Sequence, residues 1–245
     1  MKRREFLKNS IITISAMALL SGCSNKMVDK CNGGNNMRVL LINSSAHKNG
    51  CTYTALSEVA KVLNKNEIDT EIIQLGSEPI RDCIGCYACR KNNSGRCVFD
   101  DDIVNTLIEK AKTADGFVFG SPVYYGHPTG RLLSVMDRAF FAGGEYFKFK
   151  PAAAVLSARR AGTTASFDVI NKHFTINNMP VVSSNYWNMV HGSKAEDVYE
   201  DKEGIQIMQI LAENMTWYLR AFEAAKKEGI NHPVLPEKIT TNFIR

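Results

Sequence analysis

Four cysteines hold most of the chemistry that this sequence advertises. Cys83, Cys86 and Cys89 recur every third residue and Cys97 follows after seven more, a CxxCxxCx7C pattern within fifteen positions. Thiolates at that spacing can converge on one small inorganic object, and four of them suit a 4Fe–4S cluster. Zinc takes the same ligands, although its structural sites usually draw on separated CxxC pairs. Disulfides or free thiols are the third reading, because an exported chain meets an oxidising compartment. Of the other cysteines, Cys31 lies in a polar Gly/Asn-rich stretch and Cys51 in a loop where a small packing residue is expected.

Two further segments have the composition of ligand-binding loops. Asn43-Ser44-Ser45-Ala46-His47-Lys48-Asn49-Gly50-Cys51-Thr52 follows an apolar run and leads into a helical pattern. Its small and hydroxyl residues leave backbone N–H and side-chain O–H groups for an oxyanion at a helix N-terminus, where the dipole favours negative charge. The loop is neither the GxxxxGK(S/T) P-loop nor GxGxxG, which argues against a triphosphate or a conventionally bound dinucleotide. The second segment is Gly120-Ser121-Pro122-Val123-Tyr124-Tyr125-Gly126-His127-Pro128-Thr129-Gly130, with Met136-Asp137-Arg138 behind it. Pro and Gly fix an extended turn there, and the two tyrosines offer flat apolar surface to a ring system.

The rest of the sequence supplies the elements that must position these loops. Short apolar runs at 37–43, 71–75, 115–120, 152–158 and 179–184 read as buried strands. Helical spacing separates them, at 52–64 (Leu56, Val59, Ala60, Leu63), from Ile103 to Ala111 behind Asp100 to Asp102, and at 130–141, 163–175 and 203–228. Met208, Leu211, Met215, Leu219 and Phe222 are expected in the core. Five alternations of strand and helix argue an α/β, doubly wound domain with a five-stranded parallel sheet covered on both faces. Ligands of such sheets bind beyond the carboxyl ends of the strands, which is where all three segments fall.

The first 36 residues are of another kind. Lys2-Arg3-Arg4-Glu5-Phe6-Leu7-Lys8, a modestly apolar middle and Leu20-Ser21-Gly22-Cys23 are the parts of an export signal. The arginine pair resembles a twin-arginine signal, and Leu-Ser-Gly-Cys resembles a lipobox. Residues 1–22 are thus expected to be a signal, Cys23 the lipid-attachment site, 23–36 a tether and 37–245 the folded domain, with 83–97 as a cysteine-rich insertion. The protein is then held at the cell envelope by its lipid alone; a cytoplasmic enzyme with an amphipathic first helix is the other reading. The chain has 245 residues, 44% apolar and 22% charged, and no run of the roughly 18–20 apolar residues a span requires. Its net charge is +5, of which Lys2, Arg3, Arg4 and Lys8 against Glu5 supply +3, so no basic footprint for nucleic acid is left. Scattered histidines and the lack of GxSxG argue against a catalytic zinc and against a serine hydrolase.

SPVYYG with a downstream MDR resembles the NAD(P)H-dependent FMN reductase family, and SSAHKNGCT resembles that family's first FMN loop. The resemblance covers roughly residues 37 to 228. It implies a flavodoxin-like sandwich with strand order 2-1-3-4-5. It implies that Ser45, His47 and Thr52 contact the FMN phosphate, and that Pro122, Val123, Tyr124, Tyr125 and Gly126 lie along the ribityl chain and isoalloxazine. The loop with Ser157 and Gly162 closes over the ring, and Trp187 near the last strand is a candidate for its substrate side. The run Cys97-Val98-Phe99-Asp100-Asp101-Asp102 resembles the iron–sulfur flavoproteins of the same family, which implies that Cys83, Cys86, Cys89 and Cys97 hold a 4Fe–4S cluster.

The expected function is an FMN-dependent oxidoreductase that transfers electrons, with no protein acid or nucleophile required because the flavin carries the chemistry. Its partners are a redox protein, a quinone or a nicotinamide donor and a small-molecule acceptor. A dimer or tetramer is implied by the resemblance. Two alternatives stay open: an NAD(P)H-dependent FMN or quinone reductase without a cluster, and a non-catalytic anchored binding module.

Overall fold

The computed structural model describes residues 36–241 and 243, so the export signal, Cys23 and nearly all of the tether lie outside the described residues. Strand β1 (Arg38–Asn43) is apolar from Val39 to Ile42 because both its faces are covered there. Leu40 and Ile42 join one core cluster, Val39 and Leu41 the other, as the two-residue period of a strand demands. It pairs in parallel with β2 (Asp69–Gln74) and β3 (Gly116–Tyr124), and β3 with β5 (Ala152–Ala158). Helices α3 (Ile103–Ala111), α4 (Gly130–Gly143) and α5 (Thr163–Ile176) cover the Leu40 face. Five phenylalanines (Phe117, Phe119, Phe140, Phe147 and Phe174) interlock beneath them. Helices α1 (Cys51–Lys65) and α7 (Lys202–Lys227) cover the Leu41 face. Gly120 is glycine for a steric reason, since a Cβ there would lie 2.8 Å from Leu56 Cδ1 and 3.0 Å from Thr52 Cγ2 of α1.

Six strands form the sheet, not the expected five. The parallel order is β2-β1-β3-β5-β6, and the added strand is β4 (His127–Pro128), antiparallel to Val123–Tyr124 of an extended β3. Tyr125, at φ 61°, turns this hairpin. Pro128 fits there because a two-residue edge strand asks little of its missing N–H. The edge strand expected at 179–184 is also displaced. Val181 contributes one bridge to Ala152, and the chain then turns where Ser184 Oγ donates to Tyr186 O at 2.7 Å. Pro180 cannot donate to the ladder, and β6 (Met189–His191) pairs with Leu156–Ala158 instead. Two short helices, α2 (Ala88–Lys91) within the cysteine-rich insertion and α6 (Asp197–Glu200) before the last helix, complete the α-helices among the described residues. Phe222, expected in the core, is exposed; it lies in the last turns of α7, beyond Leu219, the last of that helix's buried residues.

The strand that leads to the cysteines is fixed to its neighbours by charge. Glu71 of β2 pairs with Lys110 of α3 at 2.8 Å and with Arg38 of β1. The Lys110 hydrogen bond, opposed by partial burial, holds the Glu71 carboxyl below its usual range. A depressed carboxylate adds stability above the unfolded-state value of about 4.3, and that stability is lost as pH falls through the native value. Glu71→Gln is therefore expected to destabilise the protein by about 0.5–1 kcal/mol at neutral pH in urea titrations, and the gap should close in acid below about pH 4.

Candidate functional site

The first loop is set from below by a fully buried asparagine. Asn43 Nδ2 donates to Gln74 Oε1 at 2.6 Å, Asn43 Oδ1 accepts from Ser45 N at 3.1 Å, and Gln74 Nε2 donates to Ser45 O at 2.6 Å. His47 N donates to Ser45 Oγ and Gly50 N to His47 O, so the loop closes on itself before α1 begins. Helices α3, α4 and α7 start under side-chain caps from Asp102, Thr129 and Asp201. Helix α1 does not: its N-cap is Gly50, no side chain caps it, and its first turn carries no acid. Its first amides and the positive end of its dipole are left for something else.

That end opens on a cleft of about 840 Å³, large enough for a cofactor. Ser45, His47, Lys48 and Thr52 line one side, Pro122, Val123 and Tyr124 another, and Ser157 and Arg159 a third. Thr52 Oγ1 and Ser157 Oγ lie 2.8 Å apart in the buried floor, 1% and 2% exposed. A hydroxyl pair uses one hydrogen between its members, so the other can be donated. Gly192 to Glu196, the loop after β6, forms the remaining wall and brings Lys194. Cysteine 51 also lines the cleft, and burial raises its thiol pKa; no reactive thiolate is indicated there.

Not every expected cofactor residue reaches the cleft. Tyr125 and Gly126 form the exposed tip of the β3–β4 hairpin and are absent from its walls. Gly162 acts indirectly. At φ +90° it opens α5, and a Cβ there would lie 2.8 Å from Val123 Cγ1, so this glycine lets the chain after β5 pack against the end of β3. Trp187 stands half-exposed against Tyr186, with ring centroids 4.8 Å apart, outside the cleft. The 192–196 wall was missed because the last strand lies later than its apolar pattern suggested; Gly192 directly after the strand was the available signal.

The four cysteines line one separate pocket, formed with Ile84, Tyr87, Val98, Phe99 and Phe141. Cys83 and Cys86 stand at its exposed rim, Cys89 and Cys97 deeper, all as free thiols. The pocket encloses about 20 Å³. Among the described residues no group of three or more Cys, His, Asp or Glu is placed to hold a single metal ion. Burial raises the Cys89 thiol pKa, so metal capture there must release a proton.

Asn105 fixes the Cys97 end of the segment, accepting from Cys97 N at 2.8 Å and donating to Cys97 O and Phe99 O at 3.0 Å. Beneath lies Arg138, 1% exposed, on the inner face of α4. It pairs with both carboxylate oxygens of Asp102, donates to Arg81 O and Phe99 O, and aims Nε at Cys97 Sγ at 3.2 Å. The sequence showed Arg138 only as part of a motif, and the register it shares with Val135 and Ala139 was the signal of its burial.

Known proteins agree with this architecture. The NADPH-dependent FMN reductase family profile matches residues 37–194. An iron-sulfur flavoprotein of Methanocaldococcus jannaschii is 34% identical over 152 residues, covering 61% of this chain and 77% of that protein. One from Methanosarcina thermophila is 26% identical over 184 residues, covering 73% and 93%. The fold matches a flavodoxin, a WrbA-like protein of Agrobacterium tumefaciens, with a TM-score of 0.55 at 12% identity, over 76% and 99% of the two chains. Since the matched region runs from β1 into the last wall of the cleft, the chain belongs to the NADPH-dependent FMN reductase family and is a flavin-dependent oxidoreductase.

Proposed function

We propose that this oxidoreductase transfers electrons between FMN in the 840 Å³ cleft and a 4Fe–4S cluster on Cys83, Cys86, Cys89 and Cys97. The observation that carries the reading is that all four cysteines of one segment line a single pocket against helix α4, in the same domain whose strand-end loops form the cleft. The cleft suits FMN in kind: an uncapped helix N-terminus and Lys48 for a phosphate, a hydroxyl floor, and an apolar wall of Pro122, Val123 and Tyr124. The cysteine pocket suits a cluster by its donor set of four thiols with no competing carboxylate in the lining. Two of the thiols, Cys83 and Cys86, lie in the exposed stretch 83–87.

Ser45, His47, Lys48 and Thr52 are the residues for the phosphate, where backbone amides and a lysine give charge-assisted hydrogen bonds. Pro122, Val123 and Tyr124 face the ring and exclude water from one side, and Ser157 offers it a hydroxyl. Arg159 adds a cation to the cleft wall, favourable beside any electron-rich or anionic group. When bound, FMN supplies two-electron chemistry and a cluster one-electron transfer. The family's name points to NADPH as the donor, with a quinone or a redox protein as the alternatives. The Arg3-Arg4 pair and Leu20-Ser21-Gly22-Cys23 support export and lipid anchoring through Cys23.

Anaerobically purified protein is expected to carry one flavin and about four irons per chain. Cys86→Ala should lose the iron and keep the flavin, because no cysteine of the motif lines the cleft. Flavin without iron in the unaltered protein, with rapid NAD(P)H oxidation by quinones, would favour the cluster-free reductase; colourless protein after FMN addition would sink both. Thr52→Val should weaken FMN binding by about 1 kcal/mol, roughly five-fold in Kd by flavin fluorescence titration. Mass spectrometry on protein from its native host should find a lipid-modified Cys23 as the first residue.

A further inference from the structure

Arg138 is the largest fully buried side chain among the described residues. A guanidinium inside an apolar helix face is tolerated only if its charge and its N–H groups are all met. Here one carboxylate, Asp102, meets the charge, two carbonyls take further N–H groups, and Nε is left for the Cys97 sulfur. Asp102 works twice, since the same carboxylate caps α3 by accepting from Val104 N at 3.0 Å. Cys97 alone of the four cysteines receives this contact. A fixed ion pair therefore lies directly behind one thiol, where solvent screens it little.

We infer that Arg138 and Asp102 are positioning residues that set the reduction potential at the cysteine pocket, the guanidinium raising it through the Cys97 sulfur and the carboxylate lowering it. The inference rests on the cluster reading above. A reduced cluster carries one more negative charge than an oxidised one, so a hydrogen-bonded cation behind a ligand sulfur favours reduction, and cluster potentials follow such bonds and local charge. Removing either charge should move the potential in the opposite direction to removing the other. A pair that merely props the loop makes no such distinction of sign.

The test uses the full-length holoprotein, with iron and flavin analysis followed by redox titration read by electron paramagnetic resonance. Arg138→Met is expected to lower the cluster potential, making reduction at least tenfold less favourable, or 59 mV for one electron. Asp102→Asn keeps a capping oxygen and a partner for Arg138 while deleting the charge, and is expected to raise the potential by a similar factor. If Arg138→Met fails to hold iron, Asp102→Asn alone decides: a rise supports the assignment, and a fall, an unmoved potential or lost iron overturns it. Unaltered protein without iron sinks the cluster reading and this assignment together, whereas four irons with unmoved potentials in both variants sink this assignment alone.

Discussion

A parallel sheet buried on both faces leaves polar chemistry almost nowhere to go except its carboxyl edge. β1 shows the constraint residue by residue: Val39, Leu40, Leu41 and Ile42 are fully buried, alternating between two cores, and the next polar side chain, Asn43, comes at the strand's carboxyl end. Asn43 then directs the first cleft loop through Gln74 and Ser45. Gly120 does the equivalent for β3, letting the strand pass under Leu56 and Thr52 before it reaches Pro122. Once those strands are packed, the loops that follow them have to meet along one edge.

The cleft at that edge and the cysteine pocket beside α4 solve opposite electrostatic problems. The cleft is wide and lined by the cations Lys48, Arg159 and Lys194 against the single acid Glu196, on top of an uncapped helix end. Its field is made by many weakly held positive groups, as suits an anionic cofactor that enters from water. The cysteine pocket is narrow and walled by aromatics. Its only buried charge is one balanced ion pair, and its outer arginines, Arg81 and Arg90, lie over Phe99 and Phe141 with the guanidinium carbon 4.8 and 4.7 Å from the ring centroids. That arrangement favours a group held by covalent-strength ligands and tuned by a few fixed dipoles.

Features that were local in sequence were legible. The runs 37–43 and 152–158 gave β1 and β5 within a residue, since strands buried on both faces are continuous apolar segments. The spacing of Leu56, Val59, Ala60 and Leu63 gave α1, and the four cysteines did converge on one pocket. What escaped depended on distant partners. The run at 179–184 is more apolar than β6, yet Pro180 and the Ser184 turn leave it one bridge, and the strand forms where Leu156–Ala158 offers free backbone. Tyr125 and Gly126 belong to the binding motif in sequence but form the tip of a hairpin whose pairing no periodicity reveals. Arg138 is the clearest case: its register with Val135 and Ala139 puts it on the inner face, but its partner Asp102 lies 36 positions away, so no local pattern shows what meets its charge.

Helix α4 ties these observations together. Thr129 caps it and accepts from Leu132 N, while Thr129 N donates to Ser121 Oγ at the end of the strand that forms the cleft wall. Two residues on, Arg131 donates to Ser77 O and Glu78 O, holding the chain that leaves β2 towards the cysteines. Arg138 then grips Cys97, Arg81 and Asp102 from the middle of the same helix. Thr129 and Arg138 are nine positions apart, about 14 Å along a helix that rises 1.5 Å per residue. A helix of fourteen residues packed on the phenylalanine core is a stiff spacer. The separation between flavin loop and cysteine pocket is thus set by a helix, and the loops carrying the ligands vary only around its two attachment points.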